Sequence, residues 1–365
     1  MNSSAPNPVR IMLVDDSAVI RGGLTALLEN DPALKVVASV SNGQSGVDMA
    51  GMHKPDIIIL DIEMPVMDGL TALPQILQKS PSSKVMMFST LTERGAQVSM
   101  KALSLGAVEC LVKPGPGEAK IGSDFHKTLI DKIKHIGGVT TTAAPQASTT
   151  AAPLKSFNAP QSFTLRNNPM DYKGKPAILA IGSSTGGPQA LFTVLKHLTG
   201  LTIPIVITQH MPATFTKILA QHITQQTGLP TFEGEDGMRV EPGKAYVAPG
   251  GYHMIFDQDE HGTFIKIDNG PQENFCKPAV DPMLRSLLPI YGRKILCAIL
   301  TGMGSDGQKG AQMLVDSHAR VIAQDQASSV VWGVPGAVSM AGLCSSVLPL
   351  NEIGPYLHRA ATQAG

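Results

Sequence analysis

The chain has 365 residues, which corresponds to two or three domains at about 150 residues each. Hydrophobic residues make up 43% of it and charged residues 16%, which supplies apolar side chains for sizeable cores and excludes a disordered chain. The 29 Lys and Arg residues equal the 29 Asp and Glu residues in number, and no segment carries the positive excess that binds phosphate backbones. Nucleic acid is therefore not expected as a partner.

The four cysteines predict free thiols in a reducing compartment. Cys110, Cys276, Cys297 and Cys344 lie far apart without CxxC spacing, which argues against a zinc ribbon and against a disulfide framework. No apolar run approaches the length of about 18 residues that a membrane span needs. We expect a cytoplasmic protein without direct membrane insertion.

The first domain, predicted over residues 9–136, alternates short apolar runs with amphipathic stretches. Such runs are typical of strands buried on both faces of a parallel sheet, and the stretches between them predict helices. Ser17 is a candidate N-cap for the first helix, which Gly22-Gly23 would weaken. Five βα units predict a flavodoxin-like, doubly wound domain, with strands at Arg10 to Val14, Val36 to Val40, Ile57 to Leu60, Val85 to Phe88 and Cys110 to Val112.

Charged residues follow three of these strands. Asp15-Asp16 follows the first, Asp61 the third and Lys113 the fifth. The carboxyl ends of parallel strands share one edge of the sheet, so these side chains should meet there. Three carboxylates brought together would repel one another without a hard cation, and oxygen ligands at this density suit Mg²⁺. Taken singly, the aspartates could cap a helix and Lys113 could be a surface lysine.

A phosphoryl group on Asp61 would be held by the metal, by Lys113 and by a hydroxyl at the end of the fourth strand. Thr90 is the first choice for this hydroxyl, and Ser89 competes with it.

Short motifs accompany these residues. Met64-Pro65 and Asp68-Gly69 follow Asp61, and Lys113 precedes Pro114. With them, the stretch from Val9 to Ile136 resembles the receiver domain of two-component response regulators. The resemblance implies that Asp61 accepts a phosphoryl group from a histidine kinase. It also implies that Asp16, Asp61 and the backbone of Glu63 bind Mg²⁺, with Asp15 assisting.

A segment of small and polar residues separates the two domains. Between Val139 and Pro160, Thr, Ala, Pro and Ser dominate, and Lys155 is the only charged residue. Such a stretch has no face to bury, and its prolines oppose a helix, so a flexible linker is predicted over 137–174. An ordered loop is the alternative. A linker of this length would let the two domains touch or separate.

The second domain, predicted over 175–365, is a doubly wound, mostly parallel α/β/α fold. Buried strands are expected at Ala177 to Ile181, Ile203 to Thr208 and Ile295 to Thr301. The segment from Thr231 to Asp268 has Gly-Met, Pro-Gly and Gly-Gly pairs with short alternating runs. This pattern predicts antiparallel hairpins inserted in the fold.

A Gly-x-Ser-x-Gly pattern centred on Ser184 follows the first of these strands. A tight strand-to-helix turn with glycines on both sides of a serine holds the hydroxyl clear of the sheet, which is typical of a nucleophile. The alternative, a phosphate-binding or dinucleotide-binding loop, fits less well. The spacing fails GxGxxG at its second glycine, and no lysine follows as in a P-loop.

Two further strand ends carry candidates for a proton-transfer chain. His210 directly follows the strand ending at Thr208-Gln209, which places it level with Ser184 as a general base. Asp306 lies in the glycine-rich turn after the strand ending at Thr301 and would orient the imidazole. The chain order Ser, His, Asp differs from the Ser, Asp, His order of α/β-hydrolases.

The strings GSSTGG, ITQHMP and LTGMGSDG, together with Ala245 to Gly250, closely resemble the catalytic domain of the CheB family of chemotaxis methylesterases. The resemblance covers nearly all of the segment from Ala177 to Tyr356. It implies hydrolysis of glutamate methyl esters on chemoreceptors, often with glutamine deamidation, by Ser184, His210 and Asp306. Ser183 and Ser305 depart from the family's frequent residues, and Ser183 is a rival nucleophile.

With the substrate that the resemblance implies, the hypothesis is that Ser184 attacks the γ-carbonyl of a methylated glutamate, with backbone N–H groups near Thr185 and Met303 holding the oxyanion. No cofactor is expected for the esterase. The unphosphorylated receiver is expected to pack over the mouth of the catalytic domain and to move away on phosphorylation. Two alternatives stay open: a second domain that only binds a protein partner, and a hydrolase of a small soluble ester.

Overall fold

The computed structural model describes residues 7–89, 92–113, 123–138 and 163–363. They form two α/β domains joined through a segment that lies outside the described residues. In the described ranges, no helix combines the length and the apolar character that crossing a bilayer requires.

The first domain is a five-stranded parallel sheet in the order β2-β1-β3-β4-β5 with helices on both faces. Ile57 to Leu60 are buried without exception, as expected for a central strand covered on both sides. The strands are β1 (Val9–Val14), β2 (Leu34–Val40), β3 (Ile57–Asp61), β4 (Lys84–Ser89) and β5 (Glu109–Val112). The helices are α1 (Ala18–Glu29), α2 (Gly43–His53), α3 (Gly69–Lys79), α4 (Glu93–Ser104) and α5 (Ser123–Ile136).

Local capping residues determine where helices of the first domain begin. The Ser17 hydroxyl accepts a hydrogen bond from the Ile20 N–H, so the predicted cap starts α1. The helix runs through Gly22-Gly23, where an added Cβ would meet nothing within 4 Å because this face is turned to solvent. Asp68 caps α3 by accepting from the Thr71 N–H at 2.7 Å.

The second domain is a seven-stranded parallel sheet in the order β14-β13-β12-β6-β7-β9-β8, with a separate antiparallel hairpin of β10 and β11. The strands are β6 (Ile178–Ser183), β7 (Ile205–Gln209), β8 (Thr231–Glu233), β9 (Ala245–Val247), β10 (His253–Asp259), β11 (Gly262–Asp268), β12 (Ile295–Ile299), β13 (Arg320–Gln324) and β14 (Ser346–Leu348). The helices are α6 (Gly187–Leu195), α7 (Phe215–Thr227), α8 (Val280–Tyr291), α9 (Gln308–Asp316), α10 (Val334–Met340) and α11 (Leu350–Thr362).

The segment predicted as antiparallel hairpins divides into two parts. Only β10 and β11 pair antiparallel, whereas β8 and β9 extend the main sheet in parallel beside β7. The prediction was wrong for β9 because Ala245 to Val247 are fully buried, so this strand belongs to the sheet core and not to an inserted hairpin. Turn signals alone did not distinguish these two surroundings.

The predicted linker is described only at its ends, since residues 139–162 lie outside the described ranges. Beyond them, the chain lies against the second domain. The Phe163 and Trp332 rings are 6.0 Å apart, the Arg166 N–H donates to the Cys344 carbonyl, and the Tyr172 N–H donates to the His318 carbonyl. Residues 163–174 are therefore anchored on the second domain, although they contain no helix or strand.

The two domains contact each other through helices. Helix α4 of the first domain packs against α7 and α6 of the second. Buried apolar residues of both domains, including Ala96 and Met100 of α4 and Phe215 and Leu219 of α7, belong to one continuous cluster. This contact brings the receiver next to the loop that follows β6.

Candidate functional site

The aspartates at the ends of β1 and β3 meet at one edge of the receiver sheet. Asp15 and Asp61 are buried and Asp16 is exposed, and one carboxylate oxygen from each lies within 4.8 Å of the others. A set of hard oxygen donors at this separation, one of them open to solvent, fits a divalent cation such as Mg²⁺. The Glu63 backbone N–H also donates a hydrogen bond to Asp61.

Lys113 follows β5 and bridges the two buried carboxylates. Its Nζ lies 2.9 Å from Asp15 Oδ2 and 2.7 Å from Asp61 Oδ2. Burial alone would lower the pKa of Lys113, but its hydrogen bonds and ion pairs with the two aspartates raise it, so the amine stays charged. Burial raises the pKa of Asp61 even with this partner. The predicted meeting of these side chains is present in the structure.

The hydroxyl expected at the end of β4 is only partly accounted for. Thr90 lies outside the described residues. Ser89, the competing residue, ends β4 and is buried, and its hydroxyl donates to the Gly95 carbonyl at 3.3 Å. The choice between them stays a prediction.

Ser184 directly follows β6 at the centre of the second sheet. In the register of β6 and β7, Ser183 pairs with Gln209, so Ser184 and His210 lie side by side at the ends of neighbouring strands. The His210 N–H donates to the Ser183 carbonyl at 3.1 Å. Gly186 has a φ of 76°, and this left-handed turn lets α6 start immediately after the serine.

The two adjacent serines differ in their surroundings. The Ser183 hydroxyl is buried and donates to Gln209 Oε1 at 2.6 Å, and Gln209 Nε2 donates to the Ser184 carbonyl. The Ser184 hydroxyl makes no hydrogen bond with any other described residue. Ser183 therefore has a structural partner, whereas Ser184 retains a side chain available for chemistry.

His210 and Asp306 form a close pair, with Nε2 2.7 Å from Oδ2. Burial alone would lower the pKa of His210, but hydrogen bonds with Asp306 and Cys276 and the charges of both raise it to about 9. Burial would raise the pKa of Asp306, but its hydrogen bond and ion pair with His210 hold it below the usual range. The carboxylate is thus charged and stabilises an imidazolium.

The Asp306 carboxylate is fixed by several donors besides His210. The backbone N–H groups of Val280 and Gly307 donate to it at 2.6 and 2.9 Å, and Asn274 Nδ2 donates at 2.8 Å. The other bond of the Asn274 amide, at 2.9 Å, goes to the buried carboxylate of Asp281. Sequence reasoning missed Asn274 and Asp281, because they lie on the loop before α8 and at its start, where no strand end or glycine pattern marks them.

A thiol was also missed. Cys276 Sγ lies 3.3 Å from His210 Nδ1, so both ring nitrogens of the histidine have partners, and neither partner is Ser184. The structure thus brings together the histidine and aspartate of the predicted triad and places the serine beside them without a hydrogen bond to the ring.

The predicted oxyanion donors lie in the loops on either side of Ser184. Thr185 is the next residue, and Met303 is the residue after Gly302, whose backbone lies against Ser184. Neither backbone N–H donates a hydrogen bond to another residue in the ranges that the structure describes. Both groups are thus available to a ligand, but their assignment stays a prediction.

The receiver contacts the serine loop directly. Glu109 Oε2 of β5 accepts a hydrogen bond from the Thr185 hydroxyl at 2.9 Å and pairs with Lys132 at 2.6 Å. The Gly186 N–H donates to the Val108 carbonyl at 3.2 Å. Gln189 Nε2 of α6 donates to the carbonyls of Leu103, at 2.9 Å, and Ala107. We call this set of contacts the interdomain contact.

Comparisons with known proteins agree with this geometry. Residues 179–357 match the family model of the CheB methylesterase, and residues 11–121 match that of the response regulator receiver domain. The protein-glutamate methylesterase/protein-glutamine glutaminase of Azospirillum brasilense is 52% identical over 370 residues, which cover 98% of this chain and 94% of that protein. The chain belongs to the CheB methylesterase family. A further relative, protein-glutamate methylesterase/protein-glutamine glutaminase 1 of Rhodospirillum rubrum, is 49% identical over 374 residues, covering 98% of this chain and 96% of that protein.

The catalytic domain also has a similar solved structure. The CheB methylesterase catalytic domain of Thermotoga maritima is 39% identical with a TM-score of 0.50, over 51% of this chain and 98% of that one. The resemblance and the fold class inferred from the sequence are therefore confirmed. As a member of the CheB family, the chain is a carboxylic-ester hydrolase joined to a response regulator receiver.

Proposed function

We propose that this CheB-family chain hydrolyses glutamate methyl esters on chemoreceptors and also deamidates receptor glutamines, with Ser184 as nucleophile, His210 as base and Asp306 as the group that orients the base. The observation that carries the proposal is the 2.7 Å pair of His210 and Asp306 at the strand end next to Ser184. The proposal includes a cytoplasmic location, methylated receptor segments as substrate and a histidine kinase as phosphodonor.

In the first half of the reaction, the Ser184 hydroxyl attacks the γ-carbonyl carbon of the methylated glutamate and passes its proton to His210. The negative charge moves to the carbonyl oxygen, where the N–H groups of Thr185 and Met303 stabilise it. When the carbon–oxygen bond to the methoxy group breaks, the imidazolium returns the proton and methanol leaves. An ester between Ser184 and the glutamyl group remains.

In the second half, His210 takes a proton from water, and the resulting hydroxide attacks the same carbonyl. The bond to the serine oxygen breaks, Ser184 regains its proton and the receptor glutamate is released as an acid. Deamidation follows the same steps with ammonia as the leaving group. In both halves, Asp306 keeps the ring oriented and stabilises its positive charge, as the pKa shifts of the pair require.

The orientation of the His210 ring determines which of its nitrogens acts as the base. The Nε2–H group donates a hydrogen bond to Asp306, so Nδ1 is the nitrogen that can accept a proton from Ser184. In the described state Nδ1 is instead occupied by Cys276. Catalysis therefore requires a rearrangement in which Ser184 replaces the thiol at Nδ1.

Phosphorylation of the receiver controls the esterase activity of the second domain. Asp61 accepts the phosphoryl group. Asp15, Asp16, Asp61 and the backbone of Glu63 would hold Mg²⁺, which neutralises charge on the phosphoryl oxygens when bound. Lys113 would then exchange its ion pair with the aspartates for one with the phosphoryl group. Three carboxylates within 4.8 Å beside this lysine support the assignment.

A single strand links the phosphorylation site to the interdomain contact. Strand β5 begins at Glu109, which holds the Thr185 hydroxyl, and is followed directly by Lys113. A movement of Lys113 toward a phosphoryl group acts on the same short strand that holds the serine loop. Ser184 lies beside this contact and is only 8% exposed, which supports the proposal that the unphosphorylated chain is inhibited by occlusion.

Release of methanol tests the proposal. The full chain is mixed with receptors carrying tritiated methyl esters, with and without a small phosphodonor, and with Asp61→Asn as the matched variant. We expect release in the wild type that rises with the phosphodonor, and no rise in Asp61→Asn. Turnover of a small ester but not of methylated receptor would instead favour a soluble-ester hydrolase, and turnover of neither would favour a binding module.

A further inference from the structure

The catalytic base has a partner that the proposed reaction does not use. His210 Nδ1 lies 3.3 Å from Cys276 Sγ, which is within the range of a hydrogen bond to sulfur. Since Nε2–H faces Asp306, Nδ1 is the nitrogen that faces the thiol: the neutral ring accepts a hydrogen bond there, and the imidazolium donates one to the sulfur. Ser184 must use this same nitrogen, so the thiol and the hydroxyl compete for it.

The loop that carries Cys276 is fixed at several points. The backbones of Glu273 and Cys276 bond to each other in both directions, at 3.2 and 2.9 Å. Glu273 also pairs with Arg285 of α8 at 2.6 Å. Asn274 ties the loop to Asp306, the partner of His210. The thiol is therefore held at the base by the same loop that holds the carboxylate.

Left-handed backbone conformations shape this turn. Asn274 has a φ of 53° and Phe275 a φ of 62°, a region that side chains other than glycine rarely adopt. Phe275 is 96% exposed, so burial of its ring does not offset this strain. The strained turn leads directly into Cys276 and so determines where the thiol lies.

The other cysteines have different surroundings. Cys297 and Cys344 are buried in the core of the second domain, and burial raises the pKa of both thiols. Cys110 is in the receiver, where its thiol donates to the Ser99 carbonyl. Within the described ranges, only Cys276 faces a histidine ring.

We propose that Cys276 is a positioning residue that holds the basic nitrogen of His210 in the resting state and competes with Ser184 for it. This inference rests on the proposed role of His210 in ester hydrolysis. The thiol orients the ring before substrate arrives, and it restrains activity because Ser184 must displace it.

Electrostatic interactions with neighbouring groups reduce the fraction of His210 that is neutral and can act as a base. The titratable groups that face His210 are Asp306, from the loop after β12, and Cys276, from the loop before α8; Asp281 lies behind Asp306. Both the Asp306 and the Cys276 interactions raise the pKa of His210, which leaves less neutral base at neutral pH.

Alkylation by iodoacetamide tests the pair without using esterase activity. The thiolate attacks the methylene carbon, a carbon–sulfur bond forms and iodide leaves. The rate at Cys276 is measured between pH 6 and pH 9 by peptide mass spectrometry in the full chain and in His210→Gln. We expect alkylation at pH 6 to be about tenfold faster in the wild type, because the imidazole that is hydrogen-bonded to Cys276 stabilises the attacking sulfur. Equal rates in the two proteins would overturn the pairing.

The pH dependence of kcat/KM tests the competition. In Cys276→Ala, the acidic limb of the profile should move down by about half a pH unit or more, and the rate at pH 7 should rise severalfold. Cys276→Ser keeps a donor to Nδ1 but no ionisable thiol, so its rate at pH 7 should lie between those of wild type and Cys276→Ala. Circular dichroism checks folding. An acidic limb that stays at the wild-type pH in Cys276→Ala overturns the proposed restraint.

The two measurements also separate this inference from the proposed function. If methylated receptor is not hydrolysed but alkylation of Cys276 still depends on His210, the proposed function fails while the thiol–imidazole pair stands. If receptor is hydrolysed through Ser184 and the alkylation rate does not depend on His210, the inference fails alone.

Discussion

The receiver site and the candidate active site lie at the same position in their folds, the carboxyl ends of parallel strands, but their charges are partnered differently. At the receiver site, Lys113 already contacts both Asp15 and Asp61, while Asp16 is exposed. In the catalytic domain, His210 and Asp306 are paired, while the Ser184 hydroxyl has no bond to the ring. The charged groups proposed for phosphorylation are thus already in contact, whereas the proposed esterase reaction needs a rearrangement that brings Ser184 to His210.

This difference agrees with a protein in which one domain controls the other. The interdomain contact involves Thr185 and Gly186, which directly follow the proposed nucleophile Ser184, and it comes from the strand that leads into Lys113. A change of partner at Lys113 is therefore close, along one strand, to the residues that position Ser184. The predictions below test each side of this comparison.

The largest effect is expected from the nucleophile. Ser184→Ala should lower kcat by about a million-fold, because removing the serine of a triad costs as much as removing the whole unit. Ser183→Ala is the matched control, since Ser183 is the adjacent serine and its hydroxyl already donates to Gln209. Methanol release measures both. Loss of activity in Ser183→Ala with retention in Ser184→Ala would reverse the assignment.

The second-largest loss of kcat is expected when the negative charge of Asp306, which orients His210, is removed. Asp306→Asn keeps the shape of the side chain but cannot stabilise the imidazolium, so kcat should fall about 10⁴-fold. Asp316→Asn is the matched control, because this exposed aspartate near the end of α9 accepts a bond only from Gln312 among the described residues. A similar small loss of kcat in both variants would mean that Asp306 does not serve His210.

A smaller effect is expected when the pH is changed, because kcat/KM should depend steeply on pH. The pKa of His210 is raised to about 9, so the base is protonated below that pH and activity is lost as the pH falls. In the unphosphorylated chain, kcat/KM should rise about tenfold between pH 7 and pH 8, as expected for a single group. A stopped-flow assay with a small methyl ester checks this. A flat profile over this range would show that the ring is not restrained as described.

The smallest effects are expected at the interdomain contact. Glu109→Gln weakens the bonds to Thr185 and Lys132, so methanol release without phosphodonor should rise a fewfold, in line with the loss of one or two hydrogen bonds of about 1 kcal/mol each. Asp31→Asn is the matched control. It removes a carboxylate that pairs with another lysine of α5, Lys134, and this pair lies inside the first domain. Equal basal rates in wild type and Glu109→Gln would argue against inhibition through this contact.

A second variant examines the same contact from the other domain. Gln189→Ala removes the amide that donates to the Leu103 and Ala107 carbonyls, so the basal rate should again rise while the phosphorylated rate stays unchanged. Gln312→Ala, on the surface helix α9, is its control. A fall of both rates in Gln189→Ala would indicate damage to α6 and not loss of inhibition.

Residues at strand ends could be predicted from the sequence. Asp61, Ser184 and His210 each follow or end an apolar run, and the sheet then brings neighbouring ends together. Loops far from their strands could not be predicted in this way. Asn274 and Cys276 reach the site through a turn with positive φ angles, for which the sequence has no glycine signal.

The contacts between the two domains could not be predicted from the sequence either. The linker predicted from the sequence did not determine which faces of the two domains would meet, and Glu109 had no feature that set it apart from other charged residues. The placement of β9 beside β7 depended on burial from both sides, which a three-residue strand does not reveal in its pattern.

The covalent intermediate tests the central claim most directly. The full chain is mixed with methylated receptor, quenched with acid within milliseconds to seconds, digested and analysed by mass spectrometry, with and without phosphodonor. We predict a receptor glutamyl group on Ser184 that forms faster after phosphorylation and is absent from Ser184→Ala. A glutamyl group on Ser183 or Cys276, or methanol release without any acylated residue, would contradict the account.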